Sequence, residues 1–218
     1  MKTYARQGGT STIFINDDGL RILSREERDT RIAYYANHGI GWVARPRHDS
    51  AADGFKRAGR FKKASNMNYA LALSLKAEKH LADLQSQEKP RSRNSRENTQ
   101  REGVRYGMQY QDHDGEDQEI VEVGRDEGGV TASGEWDDLE EMALHMAIEE
   151  TYEDSGRRWR PWAANGRACR LGEIVLLVDS DTIVPEDCLR DAAREMAECP
   201  TVGIIQHESG EYPRCKCV

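Results

Sequence analysis

Residues 172–184 read GEIVLLVDSDTIV, and five apolar residues in a row, 174–178, run straight into Asp179-Ser180-Asp181-Thr182. A short apolar run rich in β-branched residues and bounded by polar ones predicts a buried central strand. A strand apolar on both faces belongs to a parallel or mixed sheet covered on both sides, so the expected fold class is α/β. Two carboxylates then stand where the strand leaves the sheet, which is where open α/β sheets bind ligands.

A second strand with acids at its end lies near the N-terminus. Thr12-Ile13-Phe14-Ile15-Asn16 is β-branched and apolar, and Asp17-Asp18-Gly19 follows it. Asp and Gly are turn residues in their own right, so a plain turn explains this segment equally well. Ser24 with Glu27 three residues later matches a capping box and starts a helix that runs to about Asn37 and stops at Gly39. Gly41-Trp42-Val43-Ala44-Arg45 reads as a strand ended by Pro46. Strand, helix and strand in that order predict a βαβ unit.

Ala64, Met67, Leu71 and Leu75 recur at three or four residues, which predicts an amphipathic helix to about Leu84. Lys56, Arg57, Arg60, Lys62 and Lys63 crowd the start of that helix. Cations there oppose the helix dipole. A bound anion such as phosphate would relieve the conflict, although a solvated basic loop accounts for the same residues.

Residues 85–134 are rich in Arg, Ser, Asn, Gln, Glu and Gly and carry almost no apolar periodicity, so they read as a disordered or loosely ordered insertion. Helical spacing resumes near Trp136. Between Glu135 and Asp154 there are nine acids and no Lys or Arg, after which Arg157, Arg158, Arg160, Arg167 and Arg170 follow. Either the acidic helix folds against its basic successor or the arginines form a wall for an anionic ligand. His145 reads as structural, and Trp159, Pro161 and Trp162 are expected to pack the insertion back onto the sheet. Beyond the Asp179–Asp181 segment, Pro185-Glu186-Asp187 opens a last helix with Leu189, Ala193 and Met196 inward, and residues 202–206 are expected to form a last strand.

The whole-chain totals exclude several classes. A formal net charge of −8 argues against nucleic acid as a partner. No run approaches the roughly 20 apolar residues of a membrane helix, and there is no signal-peptide core. The chain by itself reads as soluble and cytoplasmic. Its five cysteines lack any C-x-x-C spacing, which argues against a disulfide framework and a structural zinc site. Cys215-Lys216-Cys217 offers at most a soft-metal pair in a tail. The D-x-D at 179–181 suits a hard divalent cation instead, since Mg²⁺ typically takes one or two protein carboxylates and completes its shell with water and phosphates.

Taken together, Asn16-Asp17-Asp18-Gly19, Lys63-Ala64-Ser65-Asn66-Met67-Asn68 and Val178-Asp179-Ser180-Asp181 resemble the nucleotide-sugar half of glycosyltransferase family 2, the group of cellulose, chitin and hyaluronan synthases, in a fungal variant. The resemblance covers roughly residues 10–84 and 158–209. It implies a partial GT-A, Rossmann-like sandwich with a mixed, mostly parallel sheet, divided as 1–84 and 135–218 about the polar insertion 85–134. It also implies a UDP-sugar donor, Mg²⁺ or Mn²⁺, a glycan acceptor and inverting transfer. Asp17 or Asp18 would contact the uridine, Lys63 the diphosphate and Asp179 the nucleotide, while Asp181, with Asp179, would hold the metal. The family's base-bearing acidic motif and its Q-x-x-R-W have no counterpart, since His207-Glu208-Ser209-Gly210 follows Gln206. No catalytic base is therefore assigned. The family's first strand and membrane helices are likewise missing, so a truncated form is expected, with association at the cytoplasmic face of a membrane only through segments outside this chain. Two alternatives remain: a non-catalytic fragment with a vestigial donor site, and a haloacid-dehalogenase-like phosphotransferase. The latter also uses D-x-D after an apolar strand, but here Ile183 stands where that motif has Thr or Val.

Overall fold

The computed structural model describes residues 2–58, 61–87, 134–179 and 181–206, with the backbone alone for 134–138. Nearly all of the expected insertion, Ser180, the segment after Gln206 and the Cys215–Cys217 pair lie outside the described residues. The chain divides into two compact units, Thr12–Leu171 and a second made of Met1–Ser11 with Gly172–Val218.

Helix α1 (Lys2–Arg6) belongs to the smaller unit. The larger unit opens with β1 (Phe14–Asn16), a single 3₁₀ turn (Asp18–Arg21), α2 (Arg25–Asn37) and β2 (Gly41–Ala44). The predicted capping box is present: the Glu27 backbone N–H donates to Ser24 Oγ, and the Glu27 carboxylate accepts from the Ser24 N–H. Gly39 closes α2 with φ of +62°, a left-handed conformation in which glycine escapes the Cβ penalty. β1 and β2 pair in parallel, with Ile15 opposite Trp42, so the βαβ unit forms as its sequence predicts.

Helices α3 (Lys62–Gln87) and α4 (Gly134–Asp154) follow, then β3 (Trp162–Ala164), which pairs antiparallel with β2. The sheet order is β1-β2-β3. Among the described residues it is a mixed sheet, with one parallel and one antiparallel pairing. β2 is central and all four of its residues are buried. Alternate side chains of a strand point to opposite faces, and the core divides accordingly. Val43 and Ala163 join Ala70, Leu73 and Ala77 of α3 and Leu144, Ala147 and Ile148 of α4. Trp42, Ala44 and Trp162 join Leu20, Tyr35 and Ile40 on the other face. The result is a three-layer α/β sandwich.

The acidic helix does fold against its basic successor. Arg160 pairs with Glu149, and Arg157 with Glu153. Arg170 bridges Glu140 at 2.7 Å and Glu78 at 2.8 Å, joining α4 to α3. Gly166 lies so close to the Glu140 carbonyl that a Cβ there would clash, which lets the segment after β3 press on α4. Trp162 is a sheet residue, with the Arg21 guanidinium 4.1 Å above its ring, and the insertion it was expected to hold lies outside the described residues.

The smaller unit departs most from expectation. Residues 174–178 form no strand, and their exposures range from 39% to 62%. Residues 202–206 form none either, and Ile204 is 86% exposed. Apolar sequence favours a buried strand only where neighbouring strands accept its backbone hydrogen bonds, and no described strand pairs with either segment. The last predicted helix does form, as α5 (Cys188–Glu198). Within this unit, Gln7 Nε2 donates to Asp187 Oδ1 at 2.8 Å, tying the N-terminal segment to the start of α5.

Candidate functional site

β1 and β2 are parallel, so their carboxyl ends lie on the same edge of the sheet. Asp17 and Asp18 leave from the end of β1, and Arg45 from the end of β2. The first turn of α3 meets this edge. Arg45 donates from Nη1 to Ser65 Oγ at 2.7 Å and from Nη2 to the Lys62 carbonyl, while Asn66 Nδ2 donates to the Asn16 carbonyl at 3.4 Å.

The two adjacent acids do different work. Asp17 accepts three hydrogen bonds: from Gly19 N–H at 2.9 Å on one oxygen, and from Tyr35 OH at 2.8 Å and Arg31 Nη1 at 3.2 Å on the other. It caps the 3₁₀ turn and ties that turn to α2. Burial, then the bond to Asp17, raise the Tyr35 phenol well above its ordinary pKa, so it stays a donor. Asp18 accepts on Oδ2 alone, from Arg45 Nε at 2.8 Å and Arg57 Nη2 at 3.4 Å. Its Oδ1 is buried with no hydrogen-bond partner among the described residues.

Asp18 Oδ1 is not an isolated case. Asn16 Oδ1, Asn66 Oδ1, Tyr69 OH and Arg57 Nε are also buried and have no partner among the described residues. All of these residues belong to the strand end, the loop after β2 or the first turns of α3. Native structures satisfy most buried polar groups, so these atoms are open to hydrogen bonds from ordered water or from a ligand. A pocket of about 480 Å³ adjoins them, lined by Arg45, Lys56, Ser65 and Asn68 with the rings of Phe55, Phe61 and Tyr69. Apolar walls with a few convergent polar groups are the usual make-up of a small-molecule site. Burial raises the Tyr69 pKa, and the nearby Asp18 carboxylate adds to the shift.

Lys63 is the second residue of α3 and is exposed. Asp179 and Asp181 belong to the smaller unit and are exposed, and the Asp179 carbonyl accepts the Thr182 N–H at 3.0 Å. The structure thus gathers Asp17, Asp18 and Lys63 in one unit and places Asp179 and Asp181 in the other. Among the described residues, no group of three or more His, Cys, Asp or Glu side chains could hold a metal.

Sequence reasoning missed Arg45, Tyr69 and Phe55 as site residues. The signal for Arg45 was available, because it follows a buried strand directly, just as Asp17 does. Tyr69 and Phe55 gave none, since aromatics at such positions ordinarily read as core.

Residues 174–214, the stretch that carries Asp179 and Asp181, match the family model of glycosyl transferase family group 2. No curated protein and no solved structure matches the chain.

Proposed function

We propose that this chain is the donor-binding part of a family 2 glycosyltransferase. The match over residues 174–214 carries the reading, because it falls on the D-x-D segment rather than on generic α/β framework. The same match favours glycosyl transfer over a phosphotransferase that would use Asp179 as nucleophile. The strand-end pocket supports it independently, with cations for a diphosphate and aromatic walls for a ring.

On this reading the donor is a UDP-sugar and the acceptor a glycan, with inversion in the complete enzyme, as in the cellulose and chitin synthases. Asp18 is the better candidate for the uridine contact, because both Asp17 oxygens are engaged while Asp18 keeps one oxygen without a partner among the described residues. Lys63 approaches the diphosphate. Asp179 and Asp181 fit a Mg²⁺ or Mn²⁺ ion as a donor set, since two carboxylates suffice when substrate phosphates complete the shell. Such an ion would neutralise charge on the diphosphate leaving group. Among the described residues no helix is long and apolar enough to cross a membrane, so attachment at a cytoplasmic membrane face would come through other segments.

Calorimetry with UDP tests the proposal. Binding is expected with Mn²⁺ or Mg²⁺ and should weaken about tenfold or more in Asp181→Asn, the scale of one lost charge-assisted contact. Metal-independent affinity, unchanged in Asp181→Asn, would point instead to a vestigial site.

A further inference from the structure

The loop between β2 and α3 carries more than a connection. It is folded on itself: Asp49 N–H donates to the Phe55 carbonyl at 3.0 Å, and Lys56 Nζ donates to the carbonyls of Asp49 and Ala51 at 2.9 and 2.5 Å. Phe55 is its anchor, edge-on to Tyr69 at 6.1 Å and to Trp159 at 5.7 Å between ring centroids. Arg57, two residues on, reaches Asp18.

That contact is poorly matched on both sides. Arg57 and Arg45 crowd one oxygen of Asp18 while, among the described residues, the other oxygen has no partner and Arg57 Nε has none either. Charge-assisted N–H···O bonds lie near 2.7–2.9 Å. Arg45 meets that standard at 2.8 Å, whereas Arg57 stands off at 3.4 Å. Arg45 is only 2% exposed and is also fixed by Ser65, whereas the Arg57 side chain is 30% exposed. Arg57 can therefore leave without stranding the Asp18 charge, and Arg45 cannot.

We infer that Arg57 is a ligand-holding residue that the loop after β2 carries between two positions, on Asp18 in the free protein and on a phosphate of the bound ligand. The exchange frees Asp18 for hydrogen-bond donors of the same ligand. It also draws Phe55, and with it the face presented to Trp159. The inference rests on the donor-binding reading and adds the regulation of that site.

The test uses the full chain labelled with 5-fluorotryptophan, its Trp159 resonance identified through Trp159→Phe. UDP with Mg²⁺ is titrated while calorimetry follows binding. The expected result is a shift of the Trp159 resonance that saturates with UDP. Arg57→Ala should bind about ten- to a hundredfold more weakly, as befits one lost charge-assisted contact. Arg57→Lys should recover part of that loss, and thermal melting should confirm that both variants fold. UDP binding with a stationary Trp159 resonance, or with equal affinity in Arg57→Ala, overturns the exchange and leaves the donor reading standing. No UDP binding by the unmodified chain overturns both.

Discussion

The Tyr35 hydroxyl, on α2, donates a 2.8 Å hydrogen bond to the Asp17 carboxylate at the end of β1. Helix and strand end are thereby locked together at the edge of the sheet where the pocket lies. Tyr35 is 7% exposed and the Asp17 side chain 12%, so water replaces this bond poorly. Tyr35→Phe keeps the ring packing and removes only the donor. It should destabilise the fold by about 1.5–3 kcal/mol, the range for hydrogen bonds to charged groups, as read from urea unfolding. Equal midpoints for the two proteins would show that Arg31 and the Gly19 N–H alone hold Asp17.

Asp18 and Arg45 make a more demanding pair. Removing the carboxylate leaves an almost wholly buried guanidinium with only Ser65 Oγ and the Lys62 carbonyl. Asp18→Ala should therefore cost roughly 3–5 kcal/mol, as breaking one side of a buried ion pair does. Replacing both, as Asp18→Ala with Arg45→Met, should recover much of that loss because no unpaired charge remains. A double variant as unstable as the sum of the two single variants would show that the pair contributes no coupling.

These contacts mark where sequence reading stops. The βαβ unit, the Ser24–Glu27 box and α3 were legible because each is fixed by local signals: periodicity, caps and turn residues. β3 was not, because Trp162-Ala163-Ala164 is too short to show a period and exists only by pairing with β2. Residues 174–178 failed in the opposite sense. Their composition is that of a central strand, but strand formation depends on neighbours that composition does not reveal. At the site, Asp17 and Asp18 were visible as a pair. Their different roles depend on Tyr35, Arg31, Arg45 and Arg57, all distant in sequence.

The capping box predicts a pH dependence. Hydrogen bonds from Ser24, side chain first and then backbone, hold the Glu27 carboxyl below the usual carboxylate range. A group whose pKa is lowered on folding stabilises the fold above its unfolded value, about 4.3 for glutamate, and loses that contribution as pH falls through the folded value. The stability difference between the unmodified chain and Glu27→Gln should therefore be full near pH 6 and shrink below about pH 4. Urea midpoints for the two proteins across this range give the measurement, and a difference independent of pH would remove the box as its source.

The exposed run 174–178 predicts a behaviour of the chain in solution. Ile174, Val175, Leu176, Leu177 and Val178 combine high β-propensity with no charge or proline, and Leu177 is 62% exposed. Such windows pair with copies of themselves when their backbone is not already engaged. A single lysine in the run adds charge at every repeat of a stacked assembly, where like charges oppose one another at close spacing. Leu177→Lys should therefore slow aggregation at micromolar concentration, followed by light scattering and thioflavin fluorescence. Because the side chain is exposed, the melting of the Thr12–Leu171 unit should not change. A melting transition lowered by several degrees would mean instead that Leu177 is part of a packed core.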